Sequence, residues 1–319
     1  MTESNPTRAA HVAEFQAQFH GLIQNVGQVI KGKENVVSKV LITLISGGHV
    51  LLLDVPGTGK TMLARTIAAS IQFQFSRIQF TPDLLPMDIT GSNIFNMRSK
   101  AFEFQPGPIF TNLLLADEIN RATPKTQSAL LEVMAERQVT IEGKTHLLSP
   151  PFMTIATMNP LDAQQGTYQL PAAQLDRFTM QLSMGFPPPE AEMDMLDIHL
   201  AAQPPIADLK PVIDTPTFLG WQQLVAQIFI SERIKAYLVE LVNRMRSDAK
   251  CLSPPSPRAT LMLARVAQAH AMTQGRDFVN PQDIQLTAPD VLGHRIVLSG
   301  SLSGHGYVEQ MLQQVAVPS

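Results

Sequence analysis

The chain has 319 residues, of which 24 are basic and 27 acidic, and 45% of its residues are hydrophobic. This composition is typical of a soluble globular protein with a main domain and a smaller companion, and a net charge of −3 gives no sign of nucleic-acid binding. A single cysteine, Cys251, excludes an intramolecular disulfide. The N-terminus lacks the apolar stretch of a signal peptide and no apolar run is long enough to span a membrane, so we expect a cytoplasmic protein.

The first part of the chain alternates between strand and helix patterns. Residues 1–12 are predicted to be a flexible N-terminus, and residues 13–186 an α/β core with a parallel sheet flanked by helices. The central apolar runs are almost continuous, which predicts strands buried on both faces. The five predicted strands cover residues 49–53, 77–80, 113–116, 153–157 and 179–184.

Two segments interrupt this alternation. Residues 92–104 and 139–148 each alternate around a polar turn, which predicts two inserted β-hairpins. Considered alone, both would be surface hairpins without a special role.

A run of three prolines at 187–189 predicts a stiff linker between two domains. Beyond it, residues 187–319 are predicted to form a helical domain without strands. Its helix starts are indicated by Ser231, by Ser256 followed by proline, and by Asn280 followed by proline.

A glycine-rich turn follows the first strand and precedes a helix, the context of a phosphate-binding loop. Such a loop turns its backbone amides and the start of the helix toward phosphate oxygens. Lys60 is predicted to contact the β and γ phosphates, and the Thr61 hydroxyl to bind Mg²⁺. One position departs from the full pattern, because Asp54 stands where the first glycine is usual. The predicted nucleotide-binding residues of the loop are Pro56, Gly57, Thr58, Gly59, Lys60, Thr61 and Met62.

Polar side chains follow two of the predicted strands, residues 113–116 and 153–157. Asp117 and Glu118 end a buried strand, where ligands bind in open α/β sheets. Asp117 is predicted to hold Mg²⁺ and Glu118 to activate the attacking water as general base. Asn159 is predicted to orient that water. Paired acids can also be solvated surface groups, and Asn159 before proline can be a turn signal alone.

Two arginines complete the candidate site. Arg177 lies just before the last strand, and a salt bridge with the adjacent Asp176 is its simpler interpretation. Arg258 lies in the first turn of a helix, where the helix dipole disfavours a cation, so we expect an anionic partner such as a γ-phosphate.

Taken together, these motifs resemble the MoxR family of AAA+ ATPases over residues 20–310. The resemblance implies a five-stranded AAA+ core, an all-α lid, and hairpins near the central pore of a ring, usually of six subunits with ATP between neighbours. It also implies a chaperone-like activity on a client protein, often with a von Willebrand factor A domain partner. The most similar segments are residues 77–91, 102–110, 113–143, 170–178 and 275–298.

The resemblance also implies roles for individual residues. Arg177 corresponds to an arginine finger that reaches the γ-phosphate of a neighbouring subunit. Arg258 corresponds to the sensor arginine of the lid and Asn159 to the first sensor. Gly32 lies in the segment that lines the adenine pocket.

Other function classes fit the sequence less well. A P-loop kinase or GTPase has no use for a sensor asparagine and a lid arginine, and the guanine-recognition motif is absent from the sequence. A nucleotide-gated binding module with little hydrolysis stays open as an alternative, as does a DNA-associated loader. The latter is disfavoured by the slightly acidic charge.

Overall fold

The computed structural model describes residues 6–161, 167–200 and 205–318. Its centre is a five-stranded, all-parallel sheet, which confirms the predicted α/β core. In their order across the sheet, the strands are β2 (Phe75–Gln79), β5 (Leu113–Asp117), β8 (Met153–Met158), β1 (Val50–Leu53) and β9 (Met180–Leu182).

Helices cover both faces of the sheet because successive strand side chains point in opposite directions. Leu52 and Leu115 face one apolar cluster, whereas their neighbours Leu51 and Leu114 face the other. All four side chains are buried, as expected for strands covered on both sides. The helices of this part of the chain are α1 (Pro6–Gly27), α2 (Glu34–Ile45), α3 (Lys60–Ser70), α4 (Pro86–Thr90), α5 (Pro124–Glu136) and α6 (Ala172–Leu175).

Both predicted hairpins are present, and they touch each other. The first consists of β3 (Gly91–Asn96) and β4 (Ala101–Pro106), and the second of β6 (Gln138–Ile141) and β7 (Lys144–Leu147). The ring of Phe104 stacks on that of His146 with 3.9 Å between centroids. The two hairpins therefore form one surface feature.

The C-terminal part is a helical lid, as predicted, with one correction. A two-stranded antiparallel sheet, β10 (Cys251–Ser253) and β11 (Val297–Leu298), lies within the domain for which we predicted no strand. Strands of three and two residues are too short to show an alternating pattern. The lid helices are α7 (Pro189–Leu200), α8 (Thr215–Val225), α9 (Glu232–Ser247), α10 (Pro257–Thr273), α11 (Pro281–Leu292) and α12 (Gly304–Gln314).

Residues 6–12 also differ from the prediction of flexibility over residues 1–12, of which residues 1–5 lie outside the described residues. Helix α1 begins at Pro6, Val12 is fully buried, and Arg8 forms an ion pair of 2.8 Å with Asp277 of the lid. Tertiary contacts that are distant in sequence hold this segment, and local sequence patterns do not report them.

In the described part of the chain, no helix is long and apolar enough to cross a membrane.

A buried histidine ties three elements together at the amino end of the sheet. The Nδ1 atom of His49 accepts a hydrogen bond from the Thr154 amide at 3.0 Å, and its Nε2 donates to the Met134 carbonyl at 3.1 Å. Burial lowers the pKa of His49 from 6.5 to about 4. The fold therefore requires the neutral imidazole.

We predict that this histidine makes the fold sensitive to acid. Because its folded-state pKa lies below the unfolded value, its contribution is complete above pH 6.5 and is lost as the pH falls toward 4. At pH 5 the loss amounts to about 2 kcal/mol of unfolding free energy. Urea unfolding at pH 7 and pH 5 measures it, and His49→Asn should reduce the difference by about this amount, whereas the exposed His20→Asn should not. If the unfolding free energy had the same pH dependence in all three proteins, His49 would not be a source of the acid sensitivity.

Candidate functional site

The pocket at the carboxyl edge of the sheet collects the predicted phosphate-end residues. It has a volume of about 630 Å³. Parallel strands end at the same edge, so the loops after β1, β5 and β8 converge there. The predicted residues that line it are Pro56, Gly57, Thr58, Gly59, Lys60, Thr61, Met62, Asp117, Glu118 and Asn159.

The loop after β1 has the backbone conformation that phosphate binding needs. Gly57 and Gly59 have φ angles of +86° and +87°, a region that side chains other than hydrogen disfavour. The Lys60 ammonium donates to the carbonyl oxygens of Asp54 and Val55 at 2.8 and 2.9 Å. Burial lowers the pKa of Lys60, and the nearby acids oppose that shift. The lysine is thus held at the mouth of the loop.

A threonine joins the two acids after β5. The Thr157 hydroxyl donates to Asp117 Oδ1 at 2.6 Å and accepts from the Glu118 amide at 2.8 Å. Glu118 has a φ of +56°, an uncommon conformation for a residue with a side chain. Thr157 is not among the residues predicted for the site. Its only signal was its place at the end of the strand that precedes Asn159.

The neighbouring strand β2 supplies two further partners that the sequence analysis missed. Arg77 Nη2 lies 2.7 Å from Asp117 Oδ2, and Gln79 Nε2 donates to Glu118 Oε2 at 2.7 Å. Arg77 Nη2 also donates to Gln79 Oε1 at 2.7 Å, which links the two side chains. Both acids are therefore engaged by side chains of β2.

Asn159 lies in the pocket but is tied to its own loop. The side chain is 8% exposed, and its Oδ1 accepts from the Leu161 amide at 3.0 Å. The amide therefore has a fixed orientation at the end of β8, beside Glu118.

The rest of the pocket has a largely apolar lining, and Gly32 lies between two of its lining residues, Lys31 and Lys33, without lining it itself. The φ of Gly32 is +64°, and a Cβ atom there would lie 2.7 Å from the Cβ of Ala191 in α7. Lys33 Nζ donates to the Phe186 carbonyl at 2.6 Å. The loop around Gly32 is thus pressed against the chain that follows β9. The apolar side chains that line this part of the pocket are Val29, Ile30, Met184, Phe186, Pro187 and Met195.

Neither predicted arginine lines this pocket. Arg177 precedes β9, at the amino edge of the sheet, and donates to the Leu131 carbonyl of α5. Arg258 is exposed and is close enough to His49, at the same edge, to help lower its pKa. Arg258 therefore lies outside the pocket of its own chain.

A buried ion pair explains this arrangement of the lid. Arg295 is 4% exposed, and its Nε lies 2.8 Å from Asp176 Oδ1. Asp176 also accepts from the hydroxyl of Ser256, two residues before Arg258, at 2.9 Å. Asp176 thus forms its ion pair with the lid. The simpler interpretation of Arg177, an ion pair with Asp176, does not hold in this structure.

The donor set of the pocket fits Mg²⁺ bound together with phosphate. The Thr61 hydroxyl and the Asp117 carboxylate are oxygen ligands of the kind that Mg²⁺ prefers. In the described residues no group of three or more histidine, cysteine or acidic side chains could hold a metal alone. Phosphate oxygens would have to complete the coordination.

Comparison with known proteins agrees with this geometry. Residues 49–180 match the family described as "ATPase family associated with various cellular activities (AAA)", and residues 252–315 match "AAA lid domain". The chain is 44% identical to the uncharacterized protein YeaC of Bacillus subtilis, covering 95% of this chain and 97% of that protein. It is 40% identical to chaperone MoxR1 of Mycobacterium tuberculosis, with coverages of 99% and 86%.

A third relative and a solved structure support the same grouping. Protein MoxR of Paracoccus denitrificans is 28% identical, and the match covers 91% of each chain. A crystal structure of a Cytophaga hutchinsonii protein superimposes with a TM-score of 0.90 at 36% identity, and the match covers 98% of each chain.

The Arg77 ion pair generates a prediction about metal binding. We predict that Arg77→Gln lowers the Mg²⁺ concentration needed for half-maximal nucleotide hydrolysis by about threefold, because a half-exposed guanidinium no longer competes for Asp117. Magnesium titration of hydrolysis measures it. Arg65→Gln is a control because Arg65 lines the pocket without an ion pair to Asp117. A higher Mg²⁺ requirement in Arg77→Gln would show that Arg77 supports the metal site.

Proposed function

The chain belongs to the MoxR family of AAA+ ATPases, and on that premise we propose that it is a Mg²⁺-dependent ATPase whose ring remodels a client protein. One observation carries the proposal. The phosphate loop and the two acids share a pocket at one edge of the sheet, while Arg177 and Arg258 lie at the other edge. One chain therefore carries both halves of a hydrolytic site, but at opposite edges of its sheet, so the two halves cannot meet within that chain.

The chemical step is an in-line attack of water on the γ-phosphorus of ATP. The water oxygen forms a bond to phosphorus, the bond to the β,γ-bridging oxygen breaks, and Glu118 accepts the water proton. Lys60 stabilises the phosphate charge, and Asn159 orients the water. Thr61 and Asp117 would hold Mg²⁺, which would supply further charge neutralisation when bound. Glu118 Oε2 accepts from Gln79 at 2.7 Å and from Arg121 at 2.9 Å, so the other carboxylate oxygen, Oε1, is the proposed proton acceptor.

The separation of the two edges supports the proposed ring. Strand β1 has four residues, which corresponds to about 10 Å between its first and last Cα atoms. In the proposed assembly Arg177 and Arg258 contact the γ-phosphate in the pocket of a neighbouring subunit, and a head-to-tail interface of this kind gives a ring when its rotation closes. Six subunits is the number that the family implies.

The hairpins are the proposed contact with the client. The first hairpin exposes several apolar side chains, among them Met97 at 80% and Phe102 at 71%, and the rings of Phe95 and Phe102 lie 5.4 Å apart. Exposed apolar groups clustered in this way mark interaction surfaces. A client protein, with a von Willebrand factor A domain protein as a partner, is the ligand that the family implies for them.

We predict that two inactive variants restore each other's activity when mixed. Glu118→Gln removes the base from one edge and Arg177→Ala the finger from the other, so each alone should lose at least 100-fold in ATP turnover. In randomly mixed rings, about a quarter of the sites combine an intact Glu118 with an intact Arg177 of the neighbour. Steady-state ATP turnover should recover to about that fraction of the wild-type rate.

A matched pair controls this experiment. Glu118→Gln mixed with Lys60→Ala must stay inactive, because both residues belong to the pocket of one chain. Absence of recovery in the first mixture would refute a shared site. A Glu118→Gln protein with normal turnover would refute the assigned base, and slow turnover in the wild type would favour the nucleotide-gated module.

We predict that the hairpin apolar side chains are required to hold a client. Phe95→Ser with Phe102→Ser should leave basal ATP turnover within twofold, because neither ring touches the pocket. In a Glu118→Gln background with ATP, the same two substitutions should abolish the co-purification of client proteins, as measured by mass spectrometry. Leu286→Ser, an exposed position of the lid, is the control. Unchanged co-purification would exclude the hairpins, and DNA in place of protein would favour the loader.

A further inference from the structure

We propose that Asp54, at the position of the first glycine of the phosphate loop, is a positioning residue for the nucleotide base. It fastens the chain after β9, residues 183–187, to the phosphate loop. We call this segment the base wall because Met184, Phe186 and Pro187 line the apolar end of the pocket. The inference deepens the proposed function and rests on nucleotide binding in that pocket.

The carboxylate of Asp54 accepts hydrogen bonds from three groups of the base wall. Its two oxygens accept hydrogen bonds from the Ser183 hydroxyl at 2.8 Å, the Met184 amide at 2.5 Å and the Gly185 amide at 3.1 Å. The residue is 6% exposed. Hydrogen bonds to a charged, buried acceptor are stronger than neutral ones, so this contact fixes the segment firmly. A glycine at the same position would offer none of these acceptors.

The backbone of the same residue is joined to the phosphate end of the site. Its carbonyl accepts from Lys60 Nζ at 2.8 Å, and its amide donates to the Met158 carbonyl at 3.1 Å, next to Asn159. Asp54 therefore links three parts of the pocket through one residue: the loop lysine, the end of β8 and the base wall.

The base wall contacts the two loops that enclose a nucleotide. A Cβ atom on Gly59 would lie 3.9 Å from the Met184 methyl group, so Met184 packs over the phosphate loop. The Phe186 carbonyl accepts from Lys33, beside Gly32, and the Phe186 ring is 79% exposed at the mouth of the pocket. An exposed ring beside an apolar lining is suited to stack on a purine. The position of this ring depends on the hydrogen bonds that hold residues 183–185.

Two explanations of Asp54 predict different results for ligands with and without a base. If Asp54 only stabilises the fold or the phosphate loop, its loss should weaken ATPγS and inorganic tripolyphosphate equally. If it positions the base wall, the loss should fall on ATPγS alone, because tripolyphosphate has no base to contact the wall.

The test is Asp54→Gly, which creates the usual glycine of the loop. Calorimetric titration with the Mg²⁺ complexes of ATPγS and tripolyphosphate measures both dissociation constants. We expect the preference for ATPγS to fall about tenfold, while the tripolyphosphate constant stays within threefold. In turnover, KM for ATP should rise more than kcat falls. Equal weakening of the two ligands, or no change, would overturn the inference.

Two further variants keep the result interpretable. Ser183→Ala removes one of the three hydrogen bonds and should shift the preference in the same direction by a smaller factor, even if Asp54→Gly does not fold. An unchanged preference in Ser183→Ala under that condition overturns the inference. Asp248→Asn removes a carboxylate of the lid that is bound by Tyr307 and the Lys250 amide, and it should leave the preference unchanged. A wild-type protein that binds neither ligand would overturn the proposed function itself.

Discussion

Parallel strand pairing is the constraint on which the rest of the molecule depends. Because all five strands run in the same direction, the sheet has one edge where strands end and one where they begin. The ends of β1, β5 and β8 deliver a lysine, two acids and an asparagine to a single pocket. The starts of β1 and β9 deliver His49 and Arg177 to the opposite edge. The chemistry of the protein is therefore divided by the geometry of its sheet before any side chain is considered.

The lid reinforces this division. Arg295 inserts into the amino edge, and burial lowers its pKa to about 10 despite the Asp176 carboxylate beside it. A charge held in such surroundings requires its partner, because an isolated buried guanidinium is far costlier than a paired one. The ion pair consequently fixes the start of α10, with Arg258, beside the segment that carries Arg177.

Much of this architecture could be predicted from the sequence, because its signals are local. The glycines around Lys60 and the acids after a buried strand report their function through their neighbours in the chain. Arg77 and Gln79 could not be predicted, because their partners depend on the register of β2 against β5, in which Gln79 lies opposite Asp117. The base wall has no periodic pattern, and β10 and β11 are too short for one. The role of Asp54 was visible only as a missing glycine.

The placement of Arg177 away from its own pocket also has a consequence for control. On the proposed assembly, a lone chain has no complete hydrolytic site, so turnover per chain rises with the concentration of chains until rings are saturated. The amount of protein made would then determine both the number of rings and whether the chains hydrolyse ATP at all. Dilution alone would act as an off switch, without any inhibitor or covalent modification.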